Sequence, residues 1–288
     1  MIFFLIYKMS LLFNYENLIT NGILISRPSK KVRSPYIADI SIEEEENTLA
    51  HCPSLGMSGL LNTNSQFLCS KNNNEKRKSK YTIEMIYLPT TENNFILTNT
   101  NPQFGNLIFK KIVENNLIEE YNNHKLFKSE QKYNNSRFDF YIEKNNGRKE
   151  FIEIKSVVLC DFHDSDYPKN IEHWKKRDCG PELSSSESYN KAAIFPDGYR
   201  KNKDTPISER AIKHLKELSD CINDDYDASI YFIVQRDDCD YFKPSNKDKF
   251  YYKALQEAID SNVNVKSISV SWNPDGSCYF NKFLPIIL

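Results

Sequence analysis

Residues 136–158 constrain the fold of this chain most, because they predict a β-hairpin whose strands carry charged side chains among apolar ones. Both arms, 136–143 and 149–158, alternate apolar or aromatic residues with polar ones, as half-buried strands do. Two asparagines and Gly147 connect them, and a glycine at the third position suits the left-handed residue of a three-residue loop. The sequence therefore predicts two paired antiparallel strands here.

The length of the loop decides which side chains share a face of this hairpin. With three loop residues, Lys144 pairs with Arg148. In that register Asp139 faces Glu153, and Lys155 lies two residues further along the same face. A two-residue Asn-Gly turn would shift the pairing by one residue and place the two carboxylates on opposite faces. The longer loop alone predicts a cluster of two carboxylates and one ammonium.

Two facing carboxylates repel each other unless a cation lies between them, and hard oxygen ligands of this kind suit Mg²⁺ or Mn²⁺. Asp139 and Glu153 are therefore the candidate metal ligands and, with Lys155, the candidate catalytic residues. A bound ion would polarise a phosphate, while Lys155 would position a water or neutralise charge on that phosphate. The alternative is an ordinary hairpin whose wet face carries a surface ion pair of little energetic consequence.

Several ordered segments of the chain carry a family resemblance. They are His-Cys-Pro-Ser-Leu-Gly-Met-Ser-Gly at 51–59, the segments 76–84, 136–140 and 153–157, and Phe-Pro-Asp at 195–197 leading into 208–218. Together they resemble the sugar fermentation stimulation protein A (SfsA) family. The resemblance implies an α/β protein, with an N-terminal OB-type nucleic-acid-binding barrel followed by a PD-(D/E)XK nuclease-like α/β domain with a mixed sheet. It also implies DNA as the partner.

The same resemblance assigns roles to individual residues. Asp139, Glu153 and Lys155 occupy the nuclease positions, and Glu130 matches a further acidic position of the family just upstream. A glutamate beside the start of a strand is also typical of a solvated surface.

Residues 207–218 have a helical period, and Ser208 is a suitable N-cap for the predicted helix. Arg210 and His214 lie one turn apart on a flank of that helix. By the resemblance they assist catalysis, with arginine as a fork for phosphate and histidine as a proton carrier or hydrogen-bond donor. The alternative is a solvated helix face on which the two side chains merely touch.

The formal net charge of −1 and the pI of about 6.5 give the chain no general attraction to DNA, so binding must use local basic patches. Two such patches lie in the predicted barrel. Their candidate DNA-binding residues are Arg27, Lys31, Arg33, Arg77, Lys78 and Lys80. OB-type barrels also bind strands with exposed aromatic rings, for which Tyr36, Phe67 and Tyr81 are candidates, although each suits an apolar core as well.

A chain of 288 residues is long enough for two domains. We expect a tail at 1–18, the barrel at 19–92 and the nuclease-like α/β domain at 93–288, with a polar insertion at about 160–194. Within the α/β domain, periodicity predicts helices at 102–121 and 251–261 and strands at 126–133, 228–235 and 265–272. The strand at 228–235 is apolar enough to lie at the centre of the sheet.

The apolar N-terminal run is too short to span a membrane, and seven scattered cysteines suit reduced thiols, which together indicate an intracellular protein of the cytoplasm or nucleus. Three functions stay open at this point. The favoured one is a Mg²⁺- or Mn²⁺-dependent deoxyribonuclease. The second is a non-catalytic, regulatory DNA-binding protein that retains the nuclease fold, and the third is an enzyme that acts on another kind of phosphodiester.

Overall fold

The computed structural model describes residues 10–162, 191–196 and 204–288, except for residues 17, 44, 55, 75, 92–93, 134–135, 224 and 246. Its N-terminal strands are β1 (Leu11–Asn14), β2 (Leu18–Ser26), β3 (Ile37–Ile42), β4 (Glu45–His51), β5 (Gln66–Lys71), β6 (Tyr81–Thr91) and β7 (Asn94–Asn99). The remaining elements are α1 (Phe104–Glu114), β8 (Leu126–Tyr133), β9 (Ser136–Glu143), β10 (Lys149–Val157), β11 (Cys160–Phe162), β12 (Lys191–Phe195), α2 (Glu209–Cys221), β13 (Tyr226–Val234), β14 (Tyr241–Pro244), α3 (Lys249–Asp260), β15 (Asn264–Trp272) and β16 (Ser277–Phe283).

Strands β2 to β6 form a closed barrel, which confirms the OB-type barrel predicted from the sequence. They pair in the order β4-β3-β2-β5-β6, and β7 continues the sheet beyond β6. The pairing of Ala50 with Tyr81 closes β4 onto β6. Inside, the ring of Phe67 packs over Gly22, where a Cβ atom would lie 2.4 Å from a ring carbon. Glycine at that position therefore lets the aromatic ring fill the barrel.

The C-terminal part is built on a seven-stranded sheet in the order β1-β16-β15-β13-β10-β9-β8. Its centre, β10, β13 and β15, is parallel, and the outer strands are antiparallel, so the mixed sheet of the prediction is confirmed. Helix α1 covers one face through Ile108 and Phe109, and α2 and α3 cover the other through Leu215 and Leu255. The nearly continuous apolar sequence of β13 follows from this, because both of its faces are buried.

Two elements differ from the sequence prediction. Leu11–Asn14, within the predicted tail, form the edge strand β1, and Phe13 packs against Phe104 with 5.1 Å between ring centroids. The helix predicted over 102–121 ends at Glu114, because Asn116 turns the chain with a left-handed φ of 56° before a 3-10 helix at Glu119–Tyr121.

A third, small sheet of β11, β12 and β14 connects the barrel to the α/β part. Leu159, Ala192 and Tyr241 from this region belong to the apolar core of the barrel. Most of the predicted insertion at about 160–194 lies outside the described residues. None of the helices in the described ranges is both long enough and apolar enough to cross a membrane.

Candidate active site

The hairpin of β9 and β10 has the register of a three-residue loop. Lys144 donates its backbone N–H to the carbonyl of Arg148 at 2.8 Å, and Gly147 takes the left-handed position with φ of 87°. Tyr141 consequently lies opposite Phe151. This is the alternative that brings the charged side chains of the two strands together.

Asp139 lies where β9 and β10 separate. Their pairing stops at Phe140 and Ile152, and the Asp139 carboxylate then takes the place of a strand partner, since Oδ2 accepts from the Ile154 N–H at 2.8 Å. The other oxygen, Oδ1, accepts from Asn106 Nδ2 at 2.9 Å. Asn106 is in α1, so this helix and the hairpin together fix the half-buried carboxylate.

Glu153 is buried, with 3% of the residue exposed, and its Oε1 atom has two partners. Lys155 Nζ lies 2.5 Å from it, and His214 Nδ1 is also within hydrogen-bond distance. Lys155 Nζ and His214 Nδ1 are themselves 3.2 Å apart. The strand and α2 thus bring a carboxylate, an ammonium and an imidazole into one compact cluster.

The tautomer of His214 follows from its two neighbours. Arg210 Nε lies 3.4 Å from His214 Nε2, so that ring nitrogen accepts a hydrogen bond. The other nitrogen, Nδ1, then carries the proton and donates a hydrogen bond to Glu153. Arg210 itself is exposed, one turn earlier on α2. Ser208 caps the first turn of this helix, because its side-chain oxygen accepts from the Ala211 N–H at 3.2 Å.

The two carboxylates have opposite pKa shifts. Burial, and then the negative charge of Glu153, raise the pKa of Asp139. Burial also opposes ionisation of Glu153, but the hydrogen bond from His214 and the charge of Lys155 prevail and hold the pKa of Glu153 below its usual range. Glu153 is therefore the more readily ionised carboxylate of the two, and the repulsion between the two negative charges raises the pKa of Asp139.

Glu130 does not join this cluster. It lies on β8 at the position opposite Asp139, because Ser129 pairs with Phe140 and Gln131 with Phe138. Its φ of 57° interrupts the strand, its side chain is 62% exposed, and its carboxylate forms an ion pair with Arg137. A catalytic role for Glu130 stays a prediction that these contacts do not support.

Tyr251 of α3 is a neighbour of the cluster that the sequence analysis missed. It is fully buried, and burial followed by the charges of Glu153 and Asp248 raises the pKa of its hydroxyl. Among the described residues, no hydrogen-bond partner of that hydroxyl is found. A tyrosine within an amphipathic helix indicates an ordinary core residue, so only the tertiary structure shows that Tyr251 lies near Glu153.

A second group of potential ligands has a structural explanation. Cys160, Asp238 and Cys239 place a sulfur or oxygen within 4.8 Å of one another. The Asp238 carboxylate already binds the guanidinium of Arg236, at 2.6 Å, and the ammonium of Lys191, at 3.0 Å. Because two cations already pair with that carboxylate, they oppose the binding of a metal ion there, and the group is a buried ion-pair network.

Three of the predicted DNA-binding cations are engaged by the barrel itself. Arg27 donates to the carbonyl of Pro35 at 3.0 Å and to that of Ser54, and Lys31 donates to the carbonyl of Asn47. Lys80 forms an ion pair with Glu45 at 3.1 Å. These side chains stabilise loops and strand ends, which leaves them less free to bind phosphate.

Arg77 and Lys78, by contrast, line a groove of about 340 Å³ on the barrel, together with His51. Arg77 and His51 also line an adjoining groove of about 520 Å³. Arg33 is exposed in the loop before β3. Five of the six predicted cations, all except Arg27, are exposed, and Arg77 also donates to Asn72 Oδ1 at 3.4 Å.

Only one of the three aromatic candidates is a surface residue. Tyr36 is 38% exposed, and its ring lies nearly parallel to that of His51, with 6.4 Å between centroids. Phe67 and Tyr81 are buried, with 0% and 2% exposure, so for these two rings the structure shows the alternative, a place in the apolar core of the barrel. Their side chains alternate inward on β5 and β6, and the closed barrel leaves no face of them to solvent.

Family models match most of the chain. A model described as the sugar fermentation stimulation protein RE domain matches residues 103–170 and 171–276. A second, the SfsA N-terminal OB domain, matches residues 36–97. The two matches divide the chain as the barrel and the large sheet do.

Full-length relatives and a solved structure agree with these matches. A sugar fermentation stimulation protein homolog of Pelagibacter ubique is 33% identical over 80% of this chain and 82% of its own length. A homolog of Acaryochloris marina is 30% identical over 93% of each chain. The structure of Pyrococcus furiosus SfsA in complex with Ca²⁺ aligns with a TM-score of 0.71 over 97% of this chain and all of that one. At 20% identity, this last comparison shows a common fold.

Proposed function

This chain belongs to the sugar fermentation stimulation protein (SfsA) family, and we propose that it is a metal-dependent nuclease that hydrolyses phosphodiester bonds of DNA. The observation that carries the proposal is the convergence of Asp139 of β9 with Glu153 and Lys155 of β10, held in place by Asn106 of α1 and His214 of α2. We also propose a location inside the cell, in the cytoplasm or nucleus, because the six described cysteines are all free and buried, as suits a reducing compartment.

The donor set fits a divalent cation. Asp139 and Glu153 offer hard oxygen ligands. The charge of Glu153 raises the pKa of Asp139, and a bound cation would relieve this repulsion. The Pyrococcus furiosus relative was solved with Ca²⁺, a cation of the same ligand preference, and Mg²⁺ or Mn²⁺ are our candidates here. Bound at these carboxylates, the ion would supply Lewis-acid polarisation of the phosphate and a lowered pKa for water.

The chain's own side chains supply the rest of the chemistry. Lys155 Nζ, 2.5 Å from Glu153 and half-buried, is held where it can neutralise charge that develops on a phosphate oxygen or orient the attacking water. His214 fixes the orientation of Glu153 through Nδ1. Arg210 has an exposed guanidinium next to His214 and is placed to bind a neighbouring phosphate.

Cleavage assays on single variants test the proposal. Asp139→Asn and Lys155→Ala should each lower the rate of Mn²⁺-dependent DNA cleavage by about 100-fold or more, which is the usual loss when one electrostatic group is removed from an active site. Asp260→Asn and Lys216→Ala make the same chemical changes at exposed positions of α3 and α2, and they should leave the rate unchanged.

Unchanged cleavage by Asp139→Asn and Lys155→Ala would mean that the activity belongs to another site or to a contaminant. DNA binding by the wild type without cleavage in Mg²⁺ or Mn²⁺ would instead favour a regulatory DNA-binding protein that retains the nuclease fold.

A further inference from the structure

The two grooves on the barrel adjoin and form one cleft. Their volumes are about 340 and 520 Å³, and His51 and Arg77 line both. Lys78 belongs to the first groove, whereas Thr82 and the segment 101–103 belong to the second. We call the joined grooves the barrel cleft. It runs from the loop before β6 to the segment that precedes α1.

The far end of the barrel cleft lies close to the candidate active site. Gln103 lines the cleft, and Asn106, about one helical turn later, donates to Asp139 at 2.9 Å. Between them, Gly105 packs so tightly on β10 that a Cβ atom there would lie 3.3 Å from the side chains of Ile154 and Ser156. The strand that carries Glu153 and Lys155 therefore holds this end of the cleft in place.

Two cations and the ring of His51 line the cleft, and the ring of Tyr36 lies beside His51. Arg77 and Lys78 contribute positive charge, and burial followed by the charges of Arg77 and Arg27 lowers the pKa of His51, so its ring is predominantly neutral at pH 7. The exposed ring of Tyr36 lies nearly parallel to His51, at an interplanar angle of 28°. A neutral, half-stacked ring pair beside two cations presents a face for a base and charges for a phosphate.

We propose that the barrel cleft binds single-stranded nucleic acid and directs the strand to Asp139, so that the DNA cut by this protein is single-stranded. The inference rests on the proposed function. Bases of a single strand expose faces that can stack on Tyr36, whereas those of a duplex do not. A duplex carries about one phosphate charge per 1.7 Å, and the two exposed cations of the cleft, on a chain of net charge −1, match a single strand better.

Binding measured without catalysis tests this inference. The probe is a fluorescein-labelled oligothymidylate of about 15 nucleotides, near the upper site size of an OB barrel, and a labelled duplex of equal length is the comparison. Fluorescence anisotropy with the full chain in EDTA should show tighter binding of the single strand.

Two cleft variants should lose affinity in different ways. Tyr36→Leu should weaken binding about fivefold or more with an unchanged salt dependence, because it removes stacking alone. Arg77→Ala/Lys78→Ala should also weaken binding. It should reduce the magnitude of the slope of log K against log salt concentration by about 1.4, the effect of two lost phosphate contacts on a single strand. Lys249→Ala/Lys253→Ala removes two exposed charges from α3 and is the charge-matched control, with binding unchanged.

The inference is overturned if the duplex binds as tightly as the single strand, or if the Arg77/Lys78 variant binds like its control. These outcomes are independent of the proposed nuclease activity. If the wild type never cleaves DNA but the binding results are as expected, the proposed nuclease activity is contradicted and single-strand binding by the barrel cleft is supported. If single strands are cleaved and the cleft variants cleave them as fast as the control, the role of the cleft is contradicted and the nuclease activity is supported.

Discussion

Glu153 is the residue on which the candidate site depends most. It is 3% exposed, and a single oxygen meets both Lys155 and His214. Burial opposes its ionisation, but the partners hold its pKa below the usual range. A lowered pKa keeps a carboxylate charged to lower pH, so His214 widens the pH range over which Glu153 can hold a cation.

His214→Ala tests this role. Without the imidazole the pKa of Glu153 should rise toward the already raised pKa of Asp139, so that both carboxylates take up protons together, and the acidic limb of both the Mn²⁺ affinity and the cleavage rate should become steeper and move to higher pH. Loss of a residue that orients a metal ligand typically costs about 10- to 100-fold in affinity or activity, and we expect a loss of that size near pH 7. Titration of Mn²⁺ and cleavage rates from pH 5 to 8 would measure both.

Lys213→Ala is the matched control, because Lys213 is the exposed neighbour of His214 on α2 and pairs with Glu217 at 3.4 Å. It should leave both pH profiles unchanged. An acidic limb that stays in place in His214→Ala would show that the imidazole does not set the protonation of Glu153.

At the scale of elements, the loop between β9 and β10 sets the register that the site needs. Gly147 has a φ of 87°, and no atom lies within 4 Å of where its Cβ would be, so backbone strain alone governs substitution there. Gly147→Val should lower the free energy of unfolding by about 1–2 kcal/mol, since a β-branched residue resists the left-handed region. Urea unfolding gives the value.

Gly147→Asn adds a side chain of similar size that tolerates the left-handed region, and it should cost clearly less than Gly147→Val. Equal losses for the two variants would mean that side-chain crowding, rather than φ, decides the loop.

Much of this hairpin could be predicted from the sequence, because alternation and Gly147 specify the strands and the loop. The Asp139 contacts could not. Asn106 lies in a helix 33 residues earlier, where an amide carries no signal of its partner. The separation of β9 and β10 beyond Phe140 arises from tertiary packing. The strand β1 has only four residues, too few for a periodic signal.

At the scale of the whole molecule, β10 carries two carboxylates with different roles. Glu153, in the middle of the strand, belongs to the cluster with Asp139 and Lys155. Glu150, near the start of the strand and 1% exposed, accepts from Tyr121 at 2.9 Å and pairs with Lys144 at 2.7 Å. This second carboxylate is satisfied by the protein, so it stabilises the fold and is unsuited to chemistry.

Lys144→Ala separates the two roles. It leaves the Glu150 charge buried and unpaired, and should lower the free energy of unfolding by about 3–5 kcal/mol. Lys128→Ala, at an exposed position of β8, is the control and should have little effect. Cleavage per folded molecule should stay unchanged in both. A loss of cleavage in Lys144→Ala without a loss of stability would contradict this division.

The central claim is that Asp139 and Glu153 hold a divalent cation, and calorimetric titration of Mn²⁺ tests it most directly. The wild type and Asp260→Asn should each bind Mn²⁺ at this site, and Asp139→Asn should lose that binding. Equal Mn²⁺ uptake by Asp139→Asn, or no uptake by the wild type, would contradict the account.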